Sequence, residues 1–424
     1  MDDISNWPSE IGHMRVFALN LSDSVGGAAK AAFRIHQAVR GVGVDSSLIV
    51  NRKTLNDPHI VGSNSSFAKL IDKFRSGVGV LAARLIRTQN SDYHSPAIFP
   101  TRWSKKLNRS IADVIHLHWI GGEMISINDL GAIEKPLVWT LHDMWAFSGA
   151  EHYSENMRWK EGYTQLNRPV GEAGFDINLL TWLRKQKAWQ KPLQIVTPSQ
   201  WLADCVKTSV LMRDWPVEVI PNPIDVDQWI PVDKKIAREK LGLPQEVPLI
   251  LFGAIGGAAD PRKGFDLLQA ALQKLSGTIH GLELVIFGQD APEQSVDLGF
   301  PIHYLGHLAN EVDMQMAYSA ADALIAPSRQ EVFGQTASEA HACACPAVAF
   351  EGTGLADVIE HQKTGYLAKA GNVQDLADGI AWVLESGSQS NALNTAARAR
   401  AIEKFSYPVV AQQYKNIYSK IISC

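Results

Sequence analysis

The chain has 424 residues, which is enough for two or three domains with sizeable hydrophobic cores. It carries 40 Lys and Arg against 44 Asp and Glu, a net charge of −4, so its surface as a whole is not a nucleic-acid-binding field. The composition is that of a soluble globular protein, and no apolar run approaches the roughly 18 residues of a membrane span. Since the first residues lack a secretory apolar segment and the four cysteines form no disulfide framework, we expect a cytoplasmic protein with reduced thiols.

Short β-branched runs alternate with longer helical patterns, which predicts an α/β protein whose parallel sheets are covered by helices. In the first half we predict strands at 15–21, 47–50, 113–118, 137–141, 194–197 and 217–220, and helices at 28–40 and 200–211. In the second half we predict strands at 249–252, 282–287, 302–304, 323–326 and 347–350, and helices at 265–275, 335–342 and 408–422.

The helical and strand periodicity lapses between Pro221-Asn222-Pro223 and Pro231, so we place a domain boundary near 222–232. We expect a Rossmann-like N-terminal domain at 1–222, a Rossmann-like C-terminal domain at 223–407, and a final helix, 408–424, that packs back on the first domain. Open parallel sheets bind ligands beyond the carboxyl ends of their strands. Two such sheets would therefore face a shared interdomain cleft, where we look for chemistry.

The strongest local signal lies between the predicted strand 323–326 and the predicted helix 335–342. Glu331 falls in the intervening loop and Glu339 falls eight positions later, roughly 12 Å away along a helix. Glu331 could accept hydrogen bonds from sugar hydroxyls, Glu339 could hold a ribose diol, and the helix start at Gly334, Gln335 and Thr336 could bind a diphosphate. The alternative is that both glutamates are ordinary charges of a loop and a solvated helix.

A basic turn, Pro261-Arg262-Lys263-Gly264, follows the strand 249–252 through a loop of small residues. Two cations there could neutralise the charge that builds on a departing diphosphate. A solvated basic turn before a helix is the alternative interpretation.

Histidines collect at the predicted ends of two strands in the first half. His142 ends the strand 137–141, while His116 and His118 share one face of the strand 113–118. With Asp143 and His152 these residues could form a metal cluster, but no ligand pair at helical spacing accompanies them, so we expect no metal. Trp119 and Trp145 lie in or near predicted loops, where they could stack on an acceptor sugar; core packing is the alternative.

The segment 67–109 is rich in Lys and Arg, and its first part places apolar residues at helical spacing. This pattern predicts a basic amphipathic helix that could contact an anionic membrane surface. An ordinary domain helix with a solvated basic face is the alternative.

Taken in order, these motifs resemble those of the retaining glycosyltransferases of family 4, which have the two-domain GT-B fold. Glu331 and Glu339 match the family's Glu, seven residues, Glu motif, and 261–264 resembles its phosphate-binding turn. Gly26-Gly27 follows the first strand, where the family has a Gly-Gly loop near the donor phosphates, and 220–225 resembles its hinge sequence. The chain departs from the pattern at Gly253-Ala254, where many relatives have Gly-Arg; we expect Arg262 to replace the absent arginine.

The resemblance implies transfer of a sugar, with retention, from a nucleoside-diphosphate sugar to a hydroxyl of a glycan or lipid-linked acceptor. It implies a setting in cell-envelope or exopolysaccharide synthesis, with neither metal nor cofactor. The basic segment 67–109 could bring this cytoplasmic protein to the inner face of the cytoplasmic membrane. The implied catalytic residues are His142, Arg262, Lys263 and Glu331. The implied donor-binding residues are Gly26, Gly27, Gly288, Gly306, His307, Phe333, Gly334, Gln335, Thr336 and Glu339, and the acceptor-site candidates are His118, Trp119 and Trp145.

Other activities remain open on the same sequence. A sugar-nucleotide epimerase or a sugar phosphorylase could use the same donor architecture, and a non-catalytic sugar-nucleotide-binding protein could share it. Two Rossmann-like halves also suggest a dinucleotide-dependent oxidoreductase, although neither glycine-containing loop reads Gly-x-Gly-x-x-Gly.

Overall fold

The computed structural model describes residues 14–62, 66–88, 90–253, 260–292, 298–308, 310–389 and 391–423, without the side chains of 67–69 and 388–389. The chain divides into two compact units. Unit 1 contains Met1–Ile220 together with Val410–Cys424, and unit 2 contains Pro221–Val409.

Unit 1 is built on a parallel sheet. Its strands are β1 (Arg15–Ser22), β2 (Asp45–Arg52), β3 (Ile60–Gly62), β4 (Ile86–Arg87), β5 (Val114–Leu117), β6 (Leu137–Thr140), β7 (Ala173–Gly174), β8 (Gln194–Thr197) and β9 (Val217–Val219). Seven of them form the sheet in the order β3-β2-β1-β5-β6-β8-β9, with every pairing parallel, while β4 and β7 form a separate antiparallel pair. The central strands β5 and β6 are wholly buried, as expected for a parallel sheet covered on both faces.

The helices of unit 1 follow the strands. They are α1 (Gly27–Gly41), α2 (Ser66–Ala83), α3 (Trp103–Asn108), α4 (Ile127–Gly131), α5 (Arg158–Glu161), α6 (Ile177–Ala188) and α7 (Gln200–Thr208). The helix α1 starts directly after the turn that follows β1, because Gly26 takes a left-handed φ of 90° at its N-cap.

Unit 2 contains a second parallel sheet. Its strands are β10 (Leu249–Gly253), β11 (Glu283–Phe287), β12 (Ile302–Tyr304), β13 (Ala323–Ala326), β14 (Ala347–Phe350) and β15 (Gly365–Ala368), in the order β12-β11-β10-β13-β14-β15. The helices are α8 (Lys234–Leu241), α9 (Phe265–Leu275), α10 (Glu311–Ala320), α11 (Gln335–Ala342), α12 (Leu355–Val358), α13 (Val373–Gln389), α14 (Ala392–Arg400) and α15 (Tyr407–Ile422). Along β10 and β14, successive residues belong alternately to two hydrophobic clusters. Each face of the sheet is therefore covered by its own core layer.

The last helix returns to unit 1, to which its residues from Val410 onward belong. Tyr414 and Tyr418 of α15 are fully buried there, and the Tyr418 hydroxyl lies 2.7 Å from His116 Nδ1. No helix in the described ranges is both long enough and apolar enough to cross a bilayer.

The predicted α/β class and the parallel sheets are confirmed, and the predicted strands are found with their bounds shifted by no more than two residues. The strands β3, β4, β7 and β15 were not predicted; β4 and β7 have only two residues each, too few to show a period.

Candidate active site

Lys263 and Glu331, two residues of unit 2 that match the family motifs, are in direct contact. Lys263 Nζ lies 2.6 Å from Glu331 Oε2, and the two side chains are 27% and 19% exposed. Lys263 ends a single 3-10 turn, Pro261–Lys263, and Glu331 lies in the loop after β13. Because β10 and β13 are neighbours in the parallel sheet, both loops leave the same carboxyl edge.

The basic turn is fastened to the loop after β13 by backbone contacts. Gly264 has a φ of 68°, and a Cβ there would lie 2.0 Å from the carbonyl oxygen of Pro327, so only glycine fits. The Arg329 amide donates to the Arg262 carbonyl at 2.7 Å, and Arg329 Nη1 donates to the Pro261 carbonyl at 2.7 Å. These contacts place Lys263 against Glu331.

The two cations of the turn have different partners. Arg262 Nη2 lies 2.8 Å from Asp260 Oδ2, and the Asp260 carboxylate also accepts from the Arg262 amide at 3.0 Å. Arg262 is therefore paired with the residue that caps its own turn, whereas Lys263 reaches across to Glu331. The expectation that Arg262 replaces the arginine absent at position 254 falls on residues outside the described ranges.

Glu339 lies on α11 as expected, but it does not face solvent. The residue is 3% exposed, and Oε2 accepts a hydrogen bond from the Tyr318 hydroxyl at 2.9 Å. Gly334, with a φ of 90°, is the N-cap of α11. The first turn of this helix contains Gln335 and Thr336, no acidic residue and no side-chain cap, which suits it to an anion.

The remaining donor-site candidates of unit 2 have separate surroundings. The Gly288 amide donates to the Gly306 carbonyl at 2.8 Å, so the turns after β11 and β12 are joined, and His307 beside them is exposed. Phe333 is 2% exposed and packs edge-on against Phe405 at 5.6 Å between ring centroids, so its ring belongs to the core.

In unit 1 the predicted histidines come together at the carboxyl edge of β5 and β6. His118 Nδ1 lies 3.1 Å from His142 Nε2, and the rings stack at 5.4 Å between centroids. The neighbouring His116 is held by Thr140 Oγ1 at 2.8 Å and by the Tyr418 hydroxyl at 2.7 Å. His118 is 2% exposed, so it is a buried neighbour of the site and its ring is not a surface for an acceptor.

Burial keeps these three imidazoles neutral. It lowers the pKa of His116 to about 3 and the pKa of His118 well below its usual 6.5. It also lowers the pKa of His142 to about 4, although the adjacent Asp143 acts in the opposite direction. His142 therefore offers an uncharged ring at neutral pH.

A second polar chain fixes Trp119. Its indole Nε1 donates to Asp143 Oδ2 at 2.6 Å, the same oxygen lies 2.5 Å from His152 Nδ1, and His152 Nε2 lies 2.7 Å from Ser95 Oγ. Burial raises the pKa of Asp143, but His152 and the donated hydrogen bonds outweigh it and hold that pKa below its usual value.

This order of Ser, His and Asp is that of a hydrolase relay, but its serine is not presented to a substrate. Ser95 is 1% exposed, and its Oγ accepts the Gly122 amide at 3.0 Å. This chain of hydrogen bonds instead holds the turn that follows Trp119. The Trp119 ring stacks on His152 with 4.9 Å between the ring centroids.

Trp145, expected in an acceptor site, is buried at 3% exposure in the core of unit 1. Its ring lies under the Lys185 ammonium at 3.9 Å, and Lys185 Nζ donates to the carbonyls of Trp145, Ser148 and Gly149. The sequence pattern did not distinguish this buried indole from that of Trp119, because both follow a predicted strand. The turn at Gly26 and Gly27 lies at the N-terminus of α1, where no side chain caps the helix.

The structure thus forms two groups of residues, each within its own unit. One holds Lys263, Glu331 and the start of α11, and the other holds His118, Trp119 and His142. Ser95 and Tyr318 were missed by sequence reasoning, since each meets its partner across a long sequence separation that no local pattern reveals. Among the residues described, no three His, Cys, Asp or Glu side chains lie close enough to hold a metal ion.

Two protein-family models match the chain. The model described as Glycosyltransferase Family 4 matches residues 25–228, and the model described as Glycosyl transferases group 1 matches residues 233–400. Together they span both groups of site residues. The chain belongs to glycosyltransferase family 4.

Curated relatives of this glycosyltransferase match over part of their length. D-inositol 3-phosphate glycosyltransferase 2 of Catenulispora acidiphila is 30% identical over 47% of this chain and 50% of the relative. Phosphatidyl-myo-inositol mannosyltransferase of Mycobacterium leprae is 25% identical over 73% of this chain and 74% of the relative. The chain spans about half the length, or less, of the first curated relatives it matches.

Solved structures share the GT-B fold of this glycosyltransferase. Sucrose-phosphate synthase from Thermosynechococcus elongatus superposes with a TM-score of 0.64 at 18% identity, over 97% of this chain and all of that one. HepE of Anabaena, solved in complex with UDP and glucose, superposes with a TM-score of 0.63 at 18% identity, over 96% of this chain and all of that one.

Proposed function

We propose that this chain is a retaining glycosyltransferase that moves a hexosyl-type sugar from a nucleoside-diphosphate sugar to a hydroxyl of a glycan or lipid-linked acceptor. The observation that carries the proposal is the contact between Lys263 and Glu331 beside the N-terminus of α11. A cation, a sugar-orienting carboxylate and a helix start at one sheet edge are what a diphosphate and its sugar require.

Each residue has a role that follows from its chemistry. Lys263 and Arg262 stabilise the negative charge that develops on the leaving diphosphate. Glu331 accepts hydrogen bonds from the donor sugar. Glu339 holds the ribose, and His142 offers a neutral ring at the carboxyl edge of the sheet of unit 1. The leaving diphosphate helps to take the acceptor proton, and two side chains and a helix end balance its charge without a metal ion.

A binding screen followed by one substitution tests the proposal. Nucleoside diphosphates and their sugars are screened by thermal shift, beginning with UDP and UDP-glucose, since HepE was solved with these ligands. A ligand at 100 times its dissociation constant adds about 2.7 kcal/mol of stability. With the donor so found, Lys263→Ala should lower turnover by about 10² or more, because the loss of about 3 kcal/mol of transition-state stabilisation has that effect.

Lys274 provides a matched control, since it is an exposed lysine of the same unit, on α9. Lys274→Ala should transfer sugar at the wild-type rate, and wild-type transfer by Lys263→Ala would refute the assignment. The anomeric configuration of the product tests retention. An activity that needs no acceptor, or one that consumes inorganic phosphate, would instead identify an epimerase or a phosphorylase.

We also propose that unit 1 contacts the inner face of the cytoplasmic membrane through α2. Leu70, Phe74 and Leu81 lie on one face of this helix and are 64%, 65% and 63% exposed, and Leu85 just beyond it is 56% exposed. A stripe of large exposed apolar side chains is unusual on a soluble surface and marks an interaction site.

Polar side chains lie on the inward side of the first half of α2, opposite the apolar stripe. The Arg75 guanidinium donates to the Pro100 carbonyl, and burial raises the pKa of the Asp72 carboxyl. Lys73 and Arg84 are exposed beside the apolar stripe. Apolar side chains flanked by cations match the chemistry of an anionic lipid surface.

Vesicle flotation tests this contact. Wild type should float with vesicles that contain anionic phospholipid and not with zwitterionic ones, and Lys73→Glu with Arg84→Glu should abolish flotation. Lys235→Glu with Lys274→Glu, which reverses two exposed charges of unit 2, is the control and should float. Flotation unchanged in the α2 variant, or a dimer that dissociates on Phe74→Ser in sedimentation, would contradict the proposal.

A further inference from the structure

The hydrogen bond between His118 and His142 has a direction, and the surroundings of His118 determine it. Two neutral imidazoles that share one hydrogen bond must supply one N–H and one bare nitrogen. The contact joins His118 Nδ1 to His142 Nε2, so either His118 or His142 is the donor.

The other nitrogen of His118 decides between the two directions. His118 is 2% exposed, and its Nε2 is buried with no hydrogen-bond partner among the described residues. If His118 accepted through Nδ1, its proton would lie on Nε2 as a buried N–H without an acceptor. If His118 donates, Nε2 is left as a bare nitrogen, which is the less costly of the two states.

His118 is held so that it cannot turn away. Its amide donates to the Leu19 carbonyl at 2.9 Å, and its carbonyl accepts the Trp139 indole N–H at 3.0 Å. Its ring lies 4.1 Å from that of His116, which Thr140 and the Tyr418 hydroxyl fix in turn. The orientation of His118 is thus a property of the folded core.

We propose that His118 is a positioning residue that holds His142 in its Nδ1–H tautomer. His142 Nε2 is then occupied as an acceptor, so Nδ1–H is the ring group that His142 can present to a ligand. A neutral N–H donor suits the oxygen of a sugar hydroxyl, and it prevents His142 from acting as a base toward an acceptor hydroxyl. The identity of that ligand rests on the proposed function, whereas the tautomer belongs to the unliganded protein.

Long-range proton–nitrogen NMR of the 15N-histidine-labelled full chain at pH 7 tests the inference directly. The resonances of His142 are assigned by their loss in His142→Gln. Wild type should show a protonated Nδ1 and a bare Nε2 on His142. His118→Asn, whose amide can donate the same hydrogen bond, should keep this tautomer, and His118→Phe should lose it.

His116→Phe is the control, because it removes an equally buried imidazole of β5 two positions before His118, keeps an aromatic ring beside His118, and leaves both atoms of the bond to His142 in place. His142 should keep its tautomer in this variant. A protonated Nε2 on His142 in wild type, or an unchanged tautomer in a folded His118→Phe, would overturn the inference. If His118→Phe does not fold, the wild-type and His118→Asn spectra decide. Nucleotide binding in the thermal-shift screen is independent of this result, so either proposal can fail alone.

Discussion

Replacing Gly264 by alanine tests how the basic turn of unit 2 is positioned. A left-handed conformation costs a non-glycine residue about 1–2 kcal/mol, and Gly264 has a φ of 68°. The new Cβ would also lie 2.0 Å from the Pro327 carbonyl oxygen, a backbone atom that cannot rotate away. Relief of such overpacking costs a further 1–3 kcal/mol, roughly, so we expect a total loss of about 3 kcal/mol.

Gly371 separates the two contributions. It has a φ of 70° in the same unit, and a Cβ there would meet no heavy atom within 4 Å. Gly371→Ala should therefore lose only the conformational part, about 1 kcal/mol. Only Gly264→Ala should also displace Lys263 from Glu331 and reduce the thermal shift produced by a nucleoside diphosphate.

Urea denaturation, with hydrogen exchange of the α9 amides as the readout, measures the stability of unit 2 in both variants. The Tm of each variant should fall correspondingly, by roughly 3 °C for each kcal/mol of lost stability in a unit of this size. Equal losses in the two variants, or an undiminished nucleotide response in Gly264→Ala, would show that the turn is not held by its contact with Pro327.

Three further predictions concern buried polar groups. Lys185→Met should destabilise unit 1 by about 3 kcal/mol in urea titration, because it leaves three carbonyls without their ammonium donor, whereas the exposed Lys187→Met should change stability by less than about 0.5 kcal/mol. Lowering the pH from 6.5 to 4 should lower the free energy of unfolding, because the unfolded chain binds protons that native His142, with its pKa of about 4, does not bind; His142 accounts for about 3 kcal/mol of this loss, and His142→Gln should reduce the pH dependence by that amount while the other buried histidines keep theirs. Tyr318→Phe should cost about 1 kcal/mol because buried Glu339 loses the hydrogen bond from the Tyr318 hydroxyl, and it should weaken nucleoside-diphosphate binding in the thermal-shift assay; unaltered binding would separate Glu339 from the ribose.

The parts of the fold that local patterns encode were predictable. Strands such as β13 and β14 are short apolar runs bounded by turn residues, and the helix α9 carries a clear helical period, so their predicted bounds agree with the structure. The edge strand β15, Gly-Tyr-Leu-Ala, is only partly buried at Tyr366 and Leu367, and its place depends on pairing with β14.

The positions of the site residues along the fold could be predicted from the sequence, whereas their contacts and burial could be predicted less well. The loop position of Glu331 follows from the strand before it, but its pairing with Lys263 depends on Gly264 approaching Pro327 across 63 positions of sequence. The burial of Glu339 depends likewise on Tyr318, which α10 supplies. Residues joined through tertiary contacts leave no period in the sequence, so only the structure reveals them.

The return of α15 to unit 1 has a consequence for synthesis of the chain. The Tyr418 hydroxyl that holds His116 is separated from it by 302 positions, and the whole of unit 2 is translated in between. Domains usually fold in the order in which they leave the ribosome. Here unit 1 needs a helix that is made after unit 2, so a nascent chain that lacks α15 leaves the tyrosine-binding face of β5 and β6 uncovered while unit 2 is being made.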